Sequence, residues 1–156
     1  MKTIETDRVA ADSPEFRGLI NALDAELAHI DGEQHAFYDQ YNGLEHIKHA
    51  VVVRVDGKAV ACGAMKEFDH TAVEVKRMYT YPEFRGHRLA AVVLNELERW
   101  SEELGYIRCV LETGKRQPAA IRLFERAGYR KIERFGPYVD DDNSVCFEKR
   151  LTDLPI

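Results

Sequence analysis

The sequence predicts an α+β fold, a mixed sheet with helices on both faces. Three observations carry that reading. Two apolar strand-like runs meet at Asp56-Gly57, a dipeptide suited to a tight hairpin turn. Apolar residues recur at helical spacing in two separate segments, at Leu19, Leu23, Leu27 and Ile30 and again at Leu89, Val93 and Leu97. After the second helix, a strand-like run, a shorter helical run and two more strand-like runs close the chain.

Thr3–Val9 reads as the first strand. Ser13-Pro14-Glu15 then supplies an N-cap residue, a proline at the first helical position and an acidic first turn. The helix it starts should run to about Ile30 and stop near Gly32. His35–Tyr41 is a short helical candidate rich in aromatics. His49–Val55 and Lys58–Lys66 form the hairpin, and a reversal near Asp69-His70 leads into the strand Val73–Thr80. On the next helix Leu89, Val93, Leu97, Trp100 and Leu104 share one face, and Gly105 is its C-cap. Tyr106–Thr113 is a strand, and Gln117-Pro118 opens a helix whose inner face is Ala120, Leu123, Phe124 and Ala127. The strands Tyr129–Phe135 and Ser144–Leu151 flank a loop with the acidic run Asp140–Asp142, read as a solvated turn. No linker, repeat or low-complexity tract appears, so one domain over residues 1–156 is expected.

Composition narrows the function. The chain has 156 residues, 45% hydrophobic and 31% charged, as in an ordinary globular protein. A net charge of −5 without a basic block argues against general nucleic-acid binding. Apolar runs fall short of the roughly 18–20 residues that span a bilayer. Met1–Arg8 is polar and charged rather than signal-like, so a cytoplasmic protein away from the membrane is expected. The three cysteines, Cys62, Cys109 and Cys146, form no CxxC pair and read as buried thiols. His46-x-x-His49 lacks a third ligand at useful spacing, so no metal is expected.

One segment points to a ligand. Arg85-Gly86-His87-Arg88-Leu89-Ala90 joins a strand to the best-patterned helix of the chain. Backbone N–H groups at a helix start have no intrahelical partner, and the helix dipole adds positive potential there. With three basic side chains around the same turn, the segment reads as a cradle for a phosphate-bearing ligand.

Element order and two motifs resemble the GNAT superfamily of acetyl-CoA-dependent N-acetyltransferases. The family turn Gln/Arg-x-x-Gly-x-Gly/Ala reads here Arg85-x-x-Arg88-x-Ala90, with its middle glycine replaced. The motif Asn-x-x-Ala-x-x-Leu-Tyr-x-x-x-Gly-Phe/Tyr reads Gln117-x-x-Ala120-x-x-Leu123-Phe124-x-x-x-Gly128-Tyr129. The resemblance implies about seven strands, with the fourth and fifth splayed apart around the pantetheine of acetyl-CoA. Met78, Tyr79 and Thr80 would pair with that arm, and Arg85, Gly86, His87, Arg88, Leu89 and Ala90 would hold the diphosphate, with Gln117, Ala120 and Phe124 alongside the coenzyme. The Met78 N–H would polarise the thioester carbonyl.

The amine to be acetylated must be neutral, and Glu74 is the candidate base. The other reading makes Glu74 a solvent-facing residue, or one paired with Lys76 or Arg77. Arg88 either folds back to a coenzyme phosphate or is a solvated surface side chain. Phe124 lacks the hydroxyl that many relatives place there to protonate the departing thiolate; water, Tyr129 or Tyr138 could take that part. On the acceptor side, Tyr38, Tyr41 and Tyr138, with Phe37, Asp39 and Asn42, could surround a cationic amine. The acceptor expected is a small-molecule or peptide amine, and the resemblance is compatible with a homodimer. The competing function is a non-catalytic sensor that binds coenzyme A on the same fold. A P-loop or Rossmann protein fits poorly, because neither glycine fingerprint is present.

Overall fold

The computed structural model describes residues 2–32 and 47–151. Its strands are β1 (Ile4–Val9), β2 (His49–Val55), β3 (Lys58–Asp69), β4 (Ala72–Thr80), β5 (Arg108–Gly114), β6 (Arg130–Ile132) and β7 (Ser144–Arg150). Its helices, numbered along the chain, are α1 (Pro14–Asp31), α2 (Leu89–Glu103) and α3 (Pro118–Arg126). The strands form a seven-stranded sheet in the order β1-β2-β3-β4-β5-β7-β6. It is mixed: β4 and β5 run parallel, whereas β1–β2, β2–β3, β5–β7 and β6–β7 are antiparallel. The β4–β5 ladder matches Ala72–Glu74 with Arg108–Val110.

Two compact units divide the chain, one made of residues 1–66 and 76–97, the other of residues 67–75 and 98–156. In the first unit the hairpin forms as the sequence predicts. Asp56 and Gly57 both take positive φ, at 51° and 85°, the conformation that a two-residue turn between right-twisted strands requires. Alternation along β3 then assigns its two faces. Cys62 and Ala64 join Phe16, Leu19, Ile20 and Leu23 of α1 in one apolar cluster. Gly63, between them, points the other way, toward Val93 and Leu97 of α2. Helices therefore cover both faces of this strand, and Gly63 is there because nothing larger fits. A Cβ added to it would lie 2.6 Å from Met78 Sδ and 2.6 Å from Val93 Cγ1.

In the second unit β5 pairs with β7 along its whole length, from Arg108↔Arg150 to Gly114↔Ser144. Beneath it Tyr129 donates its hydroxyl to Glu98 at 2.9 Å, and Lys149 bonds the other Glu98 oxygen at 2.9 Å. Phe124 of α3 packs its ring at 5.8 Å from Tyr129 and 6.2 Å from Phe147.

Some expected boundaries move, each for a visible reason. The second helix ends at Glu103, so Leu104 falls in the turn and is 45% exposed, while Leu94 fills the inner face. β6 covers only Arg130–Ile132, because Phe135 leaves the strand to pack edge-on against Phe68 at 4.9 Å and against Tyr138 at 5.9 Å. The acidic run is not wholly solvated. Asp141 accepts the Ser144 hydroxyl at 2.7 Å and the Asn143 N–H at 3.2 Å, tying the loop to β7. The helical candidate His35–Tyr41 lies outside the described residues. All three cysteines are buried and free; burial pushes the Cys62 and Cys109 thiols up to about 12.

Gly63→Ala should destabilise the protein by about 1–3 kcal/mol through overpacking against Met78 and Val93. Chemical denaturation measures this; an unchanged midpoint would show that the two side chains can retreat.

Candidate active site

The segment that follows β4 brings several backbone amides together at the start of α2. After Thr80 the chain makes a short 3₁₀ turn over Pro82–Phe84 and then reverses through two left-handed residues, Gly86 at φ 85° and Arg88 at φ 62°. The Val92 N–H donates to the Arg88 carbonyl at 3.2 Å, so Arg88 caps α2. The amides of Leu89, Ala90 and Ala91 precede that bond and lack an intrahelical acceptor. Gly86, His87 and Arg88 are exposed, Ala90 is half-buried, and Leu89 is buried as the first anchor of the helix.

Arg88 occupies the place where the family pattern has glycine, and its positive φ explains the pattern. The backbone needs a left-handed residue there whichever side chain is present. Arg85 sits differently from the rest of the turn. Its Nε donates to the Thr80 carbonyl at 2.9 Å, its Nη2 to Glu26 at 2.7 Å, and its guanidinium lies 5.5 Å from the Tyr79 ring centroid. These contacts brace the turn against β4 and α1, and the hydrogen bond to Glu26 raises the Arg85 pKa further.

Upstream on β4, Met78 is half-buried with its sulfur toward Gly63, and Tyr79 is buried in the α1 cluster. Between Glu74 and Met78 the strand carries a local irregularity, Arg77 at φ 61°.

Glu74 lies in the second unit, opposite Val110 of β5, and is only 6% exposed, which excludes the solvent-facing reading. The Arg77 Nη2 reaches Asp24 at 2.6 Å. Acidic groups gather near Glu74. A Glu112 carboxylate oxygen of β5 lies 2.6 Å from the Ser144 hydroxyl oxygen. Burial pushes the Cys146 thiol up to about 11, and the fields of Glu112 and Glu74 add to that rise. An open cavity of about 1060 Å³ adjoins this group, lined among others by Lys115, Lys131, Arg134, Ser144 and Cys146.

The model of the acetyltransferase (GNAT) family matches residues 15–129. The chain belongs to the GNAT family. A curated relative, an "IAA acetyltransferase" of Azospirillum brasilense, is 34% identical over 102 residues, covering 65% of this chain and 67% of that protein. Among solved structures, an acyl-CoA N-acyltransferase candidate from Klebsiella pneumoniae is 35% identical, with a TM-score of 0.79 over 97% of this chain and 99% of its own. A GNAT family acetyltransferase from Elizabethkingia anophelis, solved with acetyl-CoA bound, shares the fold at 16% identity, with a TM-score of 0.70 over 94% and 97% of the two chains.

This GNAT acetyltransferase places the remaining expected residues as follows. Gln117 precedes α3 and is half-buried, as is Ala120, while Phe124 is buried. Tyr138 is buried in the 3₁₀ turn Gly136–Tyr138, its ring against Phe135. Tyr38 and Tyr41, with Phe37, Asp39 and Asn42, lie outside the described residues. Two groups went unread in the sequence. Glu112 was hidden in an otherwise apolar strand, where a lone carboxylate was the available signal. Arg77 was weighed only as a partner for Glu74, and no residue-level signal marks its positive φ. Among the described residues no group of three or more His, Cys, Asp or Glu side chains could hold a metal ion, and no helix is long and apolar enough to cross a membrane.

Arg88→Gly removes the left-handed strain of a side chain, worth about 1–2 kcal/mol, but frees the unfolded chain by roughly 0.5–1 kcal/mol. The expected net is a stability unchanged or raised by about 1 kcal/mol. Arg122→Gly, inside α3, should cost about 1 kcal/mol instead. Thermal melts of the two variants check the contrast, and a loss at Arg88 matching that at Arg122 would contradict the backbone argument.

Proposed function

We propose that this acetyltransferase moves an acetyl group from acetyl-CoA to a primary amine of a small molecule or peptide, by direct attack in a ternary complex. The observation that carries this reading is the turn into α2, whose two left-handed residues present successive backbone amides to solvent. A diphosphate is the ligand such amides suit, since the helix dipole and the N–H groups act on it together without a dedicated side chain. The amides of Gly86 to Ala90 take the diphosphate of the coenzyme, and the Arg88 side chain is free to reach a phosphate from the exposed rim.

The pantetheine extends along Met78, Tyr79 and Thr80 as an added strand. The Met78 N–H donates to the thioester carbonyl, whose oxygen gains negative charge as the amine attacks. The amine nitrogen bonds the carbonyl carbon, the C–S bond breaks, and coenzyme A leaves as its thiolate. Glu74 receives the amine proton, directly or through water. Phe124 cannot return a proton to the sulfur. Tyr129 is a poor substitute, because its hydroxyl is buried and donated to Glu98, and burial raises its pKa well above the ordinary tyrosine value. Water is the better donor. Gln117, Ala120 and Phe124 line the coenzyme, whereas Tyr138, buried against Phe135, is not placed to meet the acceptor.

Release of free coenzyme thiol from acetyl-CoA across a panel of amines tests the reading. Glu74→Gln should lower kcat by about 10²–10⁴-fold while leaving the acetyl-CoA dissociation constant within about twofold. Full activity in Glu74→Gln removes Glu74 as the base. Tight acetyl-CoA binding with no amine acetylated would support a sensor instead.

A further inference from the structure

Arg77 is a buried cation of the first unit. Its side chain is 2% exposed, yet among the described residues only Nη2 has a hydrogen-bond partner, Asp24, at 2.6 Å. Nε and Nη1 are buried and have no partner among the described residues. A buried cation with unsatisfied donors is expensive, because each lost hydration bond to a charged group is worth more than a neutral one. Buried polar groups are otherwise almost always satisfied, so an exception asks for an occupant. The backbone is strained at the same residue, with φ at 61° for a long side chain. Two independent costs meet at one position, the residue before Met78.

We infer that Arg77 holds a carboxylate of the acceptor, so that the enzyme acetylates amines that also carry a carboxylic acid. This rests on the proposed function, which puts the reacting thioester at the Met78 N–H. A guanidinium one residue away then fixes the acceptor's acid end while its amine meets the carbonyl. A monoanionic carboxylate fits better than a dianionic phosphate, because Asp24 already shares the guanidinium and would repel the second charge. Asp24 itself is 43% exposed and engages Nη2 alone, so Nε and Nη1 are left for the ligand.

The test pairs amino acids with their carboxamides as acceptors. In the native enzyme each carboxylate member should exceed its amide in kcat/KM by about 10–100-fold, the range of one or two charge-assisted hydrogen bonds, and the difference should lie mainly in KM. Arg77→Gln should bring the ratio to near one, and Arg77→Lys should retain part of it. A ratio near one in the native enzyme, or one that survives Arg77→Gln, overturns the inference. Calorimetry with phenylacetate and phenylacetamide on the coenzyme-A-loaded protein gives an arm without turnover. Preferential phenylacetate binding that is lost in Arg77→Gln supports the carboxylate site even if no amine is acetylated, in which case the proposed function alone fails. Equal binding of the two probes counts against Arg77. If Arg77→Gln does not fold, the same comparisons in Arg77→Lys decide: an undiminished preference overturns the assignment.

Discussion

A chain leaving β4 at Thr80 must reverse direction before Leu89 and still arrive with the first amides of α2 facing outward. The backbone makes the reversal by turning through the left-handed region twice, at Gly86 and at Arg88. The reversal is held by contacts made in advance of any ligand. Arg85 ties it to the Thr80 carbonyl and to Glu26 of α1, and Leu89 buries the first turn of the helix. Preorganisation of this kind matters because amides already fixed in place need little rearrangement to receive an anion. The site is therefore mostly main chain, which explains how a conspicuous glycine can be replaced by Arg88 without loss of the turn.

The second constraint is the composition of β4. An ordinary strand with both faces covered is apolar, yet Glu74, Lys76 and Arg77 are all buried here. Charge in such a place lowers stability unless it is compensated, and natural proteins retain it where chemistry needs it. Glu74 lies with Glu112, Ser144 and Cys146 in one unit. Arg77 lies with Asp24 and the α1 core in the other. Position along one strand thus separates a candidate base from a candidate anion site. The strained φ falls at Arg77 itself.

Much of the fold was legible in the sequence because local chemistry and global pattern agree there. Asp56-Gly57 can hardly be anything but a tight turn, and Leu89, Val93 and Leu97 point to the core in any helical register. The turn before α2 was legible for the same reason, as a basic, glycine-bearing stretch ahead of a strong helix. Boundaries that depend on distant partners were not. Leu104 fits the helical period but falls past the last turn, and Phe135 abandons β6 for the Phe68 ring. Nor could the sequence show that Arg88 takes a glycine's conformation, or that Asp141 folds back onto Ser144. Residue type signals a φ preference only weakly, and a hydrogen bond within a loop follows from the path the loop takes.

The central claim is that the backbone amides of this turn are the coenzyme's diphosphate seat. Amide hydrogen exchange with and without saturating acetyl-CoA reads those groups one segment at a time. The expected result is strong new protection over residues 86–91, accompanied by protection of Met78, Tyr79 and Thr80 on β4, where the pantetheine would pair. Bound acetyl-CoA that leaves residues 86–91 exchanging at their free rate would contradict the account.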